Sequence, residues 1–232
     1  MKLSRRAAFA CAFCATSTAH AQGASPTNQA PARNTLTPAQ SLSRLMEGNR
    51  RFVADAPAPP GDYATRRRAL TRGQAPFAAI LGCADSRTPP EALFRASLGE
   101  VFTVRIAGNS LFTDGLGSLE FAVNGLGVSM ILALGHERCG AVAAAIQVAE
   151  HGAQLPGALM SVVEPILPAV AEARRGNPAD MLDATIKQHA RLTARRLREQ
   201  PSALSPALAS GALKVEAAYY DLDKGRVTLL PG

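Results

Sequence analysis

The 232-residue sequence has no tryptophan, and aromatic residues make up only 5% of it. Proteins that bind single-stranded nucleic acids interleave stacking aromatics with basic residues, and this chain shows no such pattern. Its arginines cluster instead at residues 66–68 and 191–198, a pattern typical of solvated helix faces. The formal net charge is +7. Three of the positive charges, on Lys2, Arg5 and Arg6, belong to a leader that we expect to be cleaved; without them, 22 basic and 18 acidic residues leave a net charge of +4. We therefore predict no nucleic-acid partner.

Long apolar runs are also missing, so we expect no stable membrane insertion. The N-terminus has a basic start, an apolar middle at residues 7–15 and the small-residue sequence Ala19-His20-Ala21, which together outline a signal peptide with an A-x-A cleavage site. Ser4-Arg5-Arg6 also resembles a twin-arginine export signal. The alternative is an alanine-rich tail without structure. We expect residues 1–21 to be a twin-arginine-like signal peptide and the protein to be periplasmic.

Cysteine is scarce, with four residues in the whole chain. Cleavage after Ala21 would leave only Cys83 and Cys139. In an oxidising compartment these two could pair as a structural disulfide. An aspartate and a histidine at ligand spacing beside them favour a metal site instead.

The remaining sequence divides into a linker and one domain. Residues 22–36 are small and polar, which predicts a disordered linker, whereas residues 37–232 belong to a chain that is 47% hydrophobic and can fill one core. Thr37 and Gln40 form a capping-box pattern at the start of an N-terminal helical arm. A short helix rich in arginine should follow, ending at Arg72.

Strands and helices then alternate, which predicts an α/β fold with a mainly parallel central sheet and flanking helices. Prolines predict a broken helix at residues 158–174, and a Gly-containing turn predicts a hairpin that adds a C-terminal antiparallel edge strand. The expected strands are 77–82, 101–106, 128–134, 213–222 and 226–230, and the other helices are 116–124, 141–150 and 178–199. His189 should lie on a solvated helix face.

Chemically active side chains follow two of these strands. Cys83, Asp85 and Arg87 are spaced two apart, so in an extended backbone they would point to one side. His136 and Cys139 are three apart, and on an opening helical turn they would share a face. If the two strands are neighbours in a parallel sheet, both sets meet at its carboxyl edge. Two thiolates, an imidazole and a carboxylate at one place suit zinc.

The pattern Cys83-x-Asp85-x-Arg87 followed by His136-x-x-Cys139 resembles the β-class carbonic anhydrases, and the resemblance extends to residues 83–91, 104–109 and 117–122. It implies one zinc ion per chain, held by Cys83, His136 and Cys139, with water or, in a closed state, Asp85 as fourth ligand. It also implies carbonate dehydratase activity, in which zinc-bound hydroxide converts CO2 reversibly to bicarbonate and a proton. A structural zinc would suit the same ligands.

The resemblance also assigns roles around the metal. Arg87 would hold the Asp85 carboxylate away from zinc, and the carboxylate would accept the hydrogen bond of the hydroxide; a surface salt bridge is the alternative. We expect the substrate site to contain Gln74, Phe102, Ala107 and Phe121. Gln74 could equally be an ordinary polar turn residue, and the other three could be ordinary core residues. The family further implies a homodimer or a dimer of dimers, with the N-terminal arm across a partner subunit.

Two other functions stay open on this sequence. One is hydrolysis of carbonyl sulfide or carbon disulfide on the same scaffold. The other is a noncatalytic domain that carries zinc or a disulfide and only binds a partner. Glu137 and Arg138 fit the resemblance less well, because many relatives have smaller or neutral residues between the histidine and the cysteine.

Overall fold

The computed structural model describes residues 33–56 and 63–231. The signal peptide predicted at residues 1–21 and most of the linker predicted at 22–36 lie outside the described residues. Within them, no helix combines the length and the apolar character needed to cross a bilayer.

The centre of the fold is a sheet of five strands within the described residues. In chain order the strands are β1 (Ala78–Gly82), β2 (Val101–Arg105), β3 (Met130–His136), β4 (Lys214–Asp221) and β5 (Arg226–Leu230). Their order across the sheet is β2-β1-β3-β4-β5. The first four strands are parallel, and β5 pairs antiparallel with β4 at the edge. The predicted mainly parallel sheet with a C-terminal antiparallel edge strand is confirmed.

Helices cover both faces of the sheet. The broken helix expected from its prolines is confirmed, since the helices Leu159–Val163 and Leu167–Arg175 are joined by a 3-10 turn. Two short helices, Pro90–Leu93 and Ser205–Ala209, were not predicted, because four or five residues are too few to show a helical period. The helices are α1 (Pro38–Val53), α2 (Tyr63–Ala69), α3 (Pro90–Leu93), α4 (Thr113–Leu126), α5 (Gly140–His151), α6 (Leu159–Val163), α7 (Leu167–Arg175), α8 (Met181–Glu199) and α9 (Ser205–Ala209).

The sheet separates two hydrophobic cores. Alternate residues of a strand point to opposite faces, so Ala79 and Leu81 of β1 pack in one core with α4, α5, α7 and α8. Ala78 and Ile80 pack in the other core, below α1 and α3. With both faces covered, the central strands are buried along their whole length, as is usual for parallel sheets.

Helix α1 also fixes the β4–β5 hairpin. The predicted capping box is confirmed at its start, where Thr37 and Gln40 bond each other through side chain and backbone. Near its end, the buried Asn49 side chain donates to the Gly225 carbonyl at 3.0 Å and accepts from the Val227 N–H at 2.8 Å. The hairpin is thereby tied to the body of the domain.

Candidate metal centre

Three candidate ligands converge at the carboxyl edge of the sheet. Cys83 directly follows β1, His136 is the last residue of β3, and Cys139 precedes α5. Because β1 and β3 are parallel neighbours, these positions lie side by side. The two cysteine sulfurs and a ring nitrogen of His136 all lie within 4.8 Å of one another, and all three residues are buried. Both cysteines are free thiols rather than partners in a disulfide.

Residues 83–88, the first ligand turn, do not continue the strand. The expected extended backbone does not continue as far as Arg87, because the N–H and the hydroxyl of Thr88 both bond back to the Asp85 carbonyl, at 3.1 and 3.0 Å. From the end of β2, the Arg105 guanidinium donates to the Cys83 carbonyl at 2.9 Å and also to the Asp85 carbonyl. The turn that begins at Asp85, rather than strand alternation, therefore sets the position of Arg87 relative to Asp85.

Residues 136–139, the second ligand turn, are not helical either. The expectation that His136 and Cys139 share a helix face was wrong, because His136 still belongs to β3 and Cys139 is the N-cap of α5. Between them, Arg138 has a φ of 54°, in the left-handed region that few side chains adopt. The two ligands therefore lie at the two ends of a tight turn.

The imidazole of His136 is oriented for metal binding. Its Nδ1 hydrogen-bonds the Glu137 carbonyl oxygen at 2.9 Å, which assigns the proton to Nδ1 and leaves Nε2 with a lone pair. Nε2 is buried and has no hydrogen-bond partner among the described residues. A buried polar atom without a partner is unfavourable, so a bound cation is the natural partner for this lone pair.

Hydrogen bonds also converge on the Cys83 sulfur. Its donors are the Cys139 thiol and the backbone N–H groups of Gly108, at 3.2 Å, and Asp85, at 3.4 Å. Together with the nearby His136 side chain, they lower the pKa of Cys83 to about 4, whereas the Cys83 sulfur and burial raise the pKa of Cys139. The thiolate is the form that binds metals. Two buried sulfurs and an imidazole fit zinc, which prefers S and N ligands.

Asp85 and Arg87 form a two-pronged ion pair beside these ligands. The Arg87 guanidinium donates from Nε to Oδ1 at 2.9 Å and from Nη2 to Oδ2 at 2.7 Å. These side-chain hydrogen bonds hold the pKa of Asp85 well below its usual range. Asp85 Oδ2 lies 4.0 Å from His136 Nε2, so the carboxylate borders the space between the ligands.

The residues expected to contact substrate are spread over several elements. Phe102 lies in β2 and Ala107 in the 3-10 turn after it, and both are half-buried. The Phe121 side chain on α4 is 56% exposed, with its ring centroid 6.4 Å from that of Phe102. Gln74 is exposed in the segment before β1. In the single chain, Gln74 and Phe121 therefore do not line an enclosed pocket.

Two structural features near the site were not anticipated. Gly108 has a φ of 70°, and a Cβ there would lie 2.8 Å from Ile166 Cδ1 and 3.1 Å from Ala141 Cβ, so glycine is favoured at the position whose N–H donates to the Cys83 sulfur. The sequence signal was available, since Gly108 falls within the 104–109 stretch that carried the resemblance. His189, expected on a solvated face, is only 3% exposed, because the face of α8 that carries it packs on the sheet.

Known proteins are similar to this chain in sequence and in fold. A family model described as carbonic anhydrase matches residues 78–227. Carbonic anhydrase 2 of Mycobacterium tuberculosis is 40% identical over 192 residues, which cover 83% of this chain and 92% of that protein. The carbonic anhydrase of Mycolicibacterium smegmatis is 36% identical over 192 residues, with 83% and 93% covered.

Solved structures agree with these sequence matches. The Coccomyxa β-carbonic anhydrase in complex with acetazolamide has a TM-score of 0.61 and 28% identity, covering 82% of this chain and 86% of that chain. A tetrameric β-carbonic anhydrase from Sordaria macrospora has the same fold, with a TM-score of 0.66 at 24% identity over 72% and 86% of the two chains. With a family match over more than half its length and a buried cysteine, histidine and cysteine at the sheet edge, the chain belongs to the β-class carbonic anhydrases.

Proposed function

We propose that the carbonic anhydrase activity of this chain, the reversible hydration of CO2 to bicarbonate and a proton, uses one zinc ion held by Cys83, His136 and Cys139. The observation that supports this ligand set most directly is the buried His136 Nε2, which has no partner among the described residues and lies near two sulfurs. Zinc with three protein ligands lowers the pKa of water to about 7 and so supplies hydroxide near neutral pH.

Asp85 and Arg87 orient the reaction in this proposal. Arg87 holds both carboxylate oxygens, which keeps Asp85 available as a hydrogen-bond acceptor and away from the metal. As acceptor, Asp85 fixes the proton of the attacking oxygen and leaves a lone pair directed at CO2. A zinc ion held by Cys83, His136 and Cys139 would then keep one position for water, because Arg87 would hold the Asp85 carboxylate away from it.

CO2 carries no charge, so its site should be apolar. We assign it to Phe102, Ala107 and Phe121, with Gln74 as the polar contact for bicarbonate. In this proposal a second copy covers the exposed Phe121 and completes the site; the tetrameric state of the Sordaria macrospora relative supports an assembly of this kind. The proposed assembly is accordingly a homodimer or a dimer of dimers.

A paired assay tests this function. Purified protein should contain about one zinc per chain and accelerate CO2 hydration in a stopped-flow indicator assay. Sulfide release from carbonyl sulfide or carbon disulfide without CO2 hydration would favour the hydrolase alternative. Zinc without either reaction would favour a noncatalytic binding domain. The relatives matched here are named carbonic anhydrases, so neither alternative is favoured.

We also propose export to the periplasm by the twin-arginine route, with cleavage after Ala21. The support is the sequence alone, in Ser4-Arg5-Arg6 and Ala19-His20-Ala21. Twin-arginine export carries folded proteins, so zinc could bind before the thiols meet an oxidising compartment. Changing Arg5 and Arg6 together to lysine should retain the protein in the cytoplasm, as measured by cell fractionation. Unchanged periplasmic delivery would exclude this route.

A further inference from the structure

The second ligand turn carries two metal ligands on a backbone that needs external support. Arg138 lies between His136 and Cys139 with a φ of 54°, which side chains with a Cβ rarely adopt. Such a conformation persists only where surrounding contacts hold it. The contacts that could do so come from the β4–β5 hairpin.

Glu137 joins this turn to β4 and to the start of the hairpin loop. Its backbone N–H donates to the Tyr220 carbonyl at 2.9 Å. Its carboxylate accepts the Leu222 N–H, also at 2.9 Å, and is three-quarters buried. Glu137 thus bonds the end of β4 through its backbone, to Tyr220, and the residue after β4 through its side chain, to Leu222, which is 85 residues away.

Arg138 makes the matching contact with the hairpin tip. Its guanidinium binds the Asp223 carboxylate through two hydrogen bonds, Nη2 to Oδ1 at 2.7 Å and Nη1 to Oδ2 at 3.1 Å. It also lies 3.5 Å from the Glu137 carboxylate, so one arginine links both acids. The planar fork of arginine matches a carboxylate in a way that lysine does not.

The hairpin can serve as an anchor because it is itself held. The Asn49 side chain on α1 bonds the backbone of Gly225 and Val227. Continuous bonding therefore runs from α1 through the hairpin to the second ligand turn.

From these contacts we infer that Glu137 and Arg138 are positioning residues that clamp the second ligand turn to the β4–β5 hairpin and so hold His136 and Cys139 at the spacing a metal requires. The inference rests on the proposed zinc site. It also gives a role to the two residues at which this sequence departs from the pattern it resembles. Neither side chain contacts substrate in this scheme; both act through the backbone between the ligands.

The first test uses the full-length protein stripped of metal. Cys139 is only 1% exposed, so its reaction with a thiol reagent reports opening of the turn. Labelling of the Cys139 peptide, followed by mass spectrometry, should be roughly tenfold faster in Arg138→Ala and in Glu137→Ala, as expected when a partner that orients a ligand is lost. Glu137→Gln keeps an acceptor oxygen for the Leu222 N–H and should behave almost as the original chain.

Zinc-loaded protein gives the second readout. Release of zinc to a chelator should also be roughly tenfold faster in Arg138→Ala. The thermal midpoint should hardly move, because Arg138 and Asp223 are more than half exposed and such pairs contribute little to global stability. Exchanging the charges, with Arg138→Asp and Asp223→Arg together, should restore slow labelling and slow release, since aspartate tolerates the left-handed backbone.

Lys224→Met is the matched control, because it removes the ion pair of Lys224 with Asp221 in the same hairpin and leaves the hydrogen bonds of Glu137 and Arg138 in place. It should leave both rates unchanged. The clamp is overturned if Arg138→Ala labels and releases zinc at the original rates, or if Lys224→Met has an equal effect. A chain that binds no zinc, yet shows faster Cys139 labelling in Arg138→Ala, would reject the zinc site while retaining the clamp on the turn.

Discussion

The first and second ligand turns meet at the same edge of the sheet, yet they are held by different kinds of contact. In the first turn, Arg87 and Thr88 bond back to Asp85, two or three residues away in sequence. In the second turn, Glu137 and Arg138 bond to the β4–β5 hairpin, 85 residues away. The first turn is held by its own residues and by Arg105 of the neighbouring strand β2, whereas the second is held by a hairpin 85 residues away.

This difference separates two tasks. The first turn contributes one ligand together with the Asp85 and Arg87 pair, whose geometry is set by local bonds. The second turn contributes two ligands whose spacing depends on how the hairpin packs. Changes at Asp85 or Arg87 in the first turn should therefore impair the reaction more than metal binding, whereas loosening the second turn should release the metal.

The largest expected effect is loss of the ion when a ligand is removed from either turn. Cys83→Ala and His136→Ala should each reduce zinc from about one per chain to below about a tenth, because two remaining ligands hold zinc poorly. Metal analysis by mass spectrometry and CO2 hydration would measure this. His151→Ala, at the exposed end of α5, is the control and should keep its zinc. Full occupancy after either ligand change would mean that the two turns do not share one ion.

The next effect sharpens the role of the first turn. Arg87→Ala frees the Asp85 carboxylate to compete for the metal, so kcat/KM for CO2 hydration should fall about a hundredfold, as for other preorganised catalytic groups. Zinc content should stay near one per chain. Arg72→Ala, which removes an exposed arginine before β1, should have no effect. An Arg87→Ala enzyme with undiminished activity would show that the pair does not orient the reaction.

A third change tests the support that the first turn receives from its neighbours. Gly108→Ala places a Cβ 2.8 Å from Ile166 Cδ1 on a backbone with a φ of 70°, so the free energy of unfolding should fall. The expected loss is about 2 kcal/mol or more, measured by urea unfolding. Gly117→Ala is the matched control, since a Cβ there meets nothing within 4 Å. Because alanine is favoured over glycine inside a helix, its free energy of unfolding should rise by up to about 1 kcal/mol. Equal stability of the two variants would remove the steric argument.

The smallest expected effect concerns His189 on α8, behind the loop that contains Gly108. Burial lowers the pKa of His189 to about 4 from an ordinary value of 6.5. As the pH falls, His189 is therefore protonated in the unfolded chain before it is protonated in the folded chain. The free energy of unfolding is highest above pH 6.5 and decreases as the pH falls toward 4. Between pH 7 and 5.5 the loss attributable to His189 is about 1 kcal/mol.

Urea unfolding at these two pH values would measure that loss. His189→Gln removes the titrating group, so the difference in unfolding free energy between pH 7 and 5.5 should shrink by about 1 kcal/mol, whatever its effect at a single pH. An unchanged difference would show that His189 is not protonated on unfolding in this range.

The sequence was most informative where structure depends on neighbours in the chain. Thr37 and Gln40 predict the start of α1, because a capping box involves only two residues that are three apart in sequence. Cys83 and His136 each end an apolar run, which was enough to place both at the carboxyl edge of a parallel sheet. The local backbone around these two residues could not be predicted from the sequence. The turn of residues 83–88 and the positive φ of Arg138 depend on hydrogen bonds that the spacing of residue types does not indicate.

By itself, then, the sequence determined the alternation of strands and helices, the antiparallel edge strand and which three residues can meet as ligands. Only the tertiary structure decided that His189 is buried, that Gly108 directs its N–H at the Cys83 sulfur, and that Arg138 reaches Asp223. The reason is physical: periodicity and capping are properties of a few adjacent residues, whereas the burial of one helix face and a bond across 85 residues arise only when the whole sheet has packed.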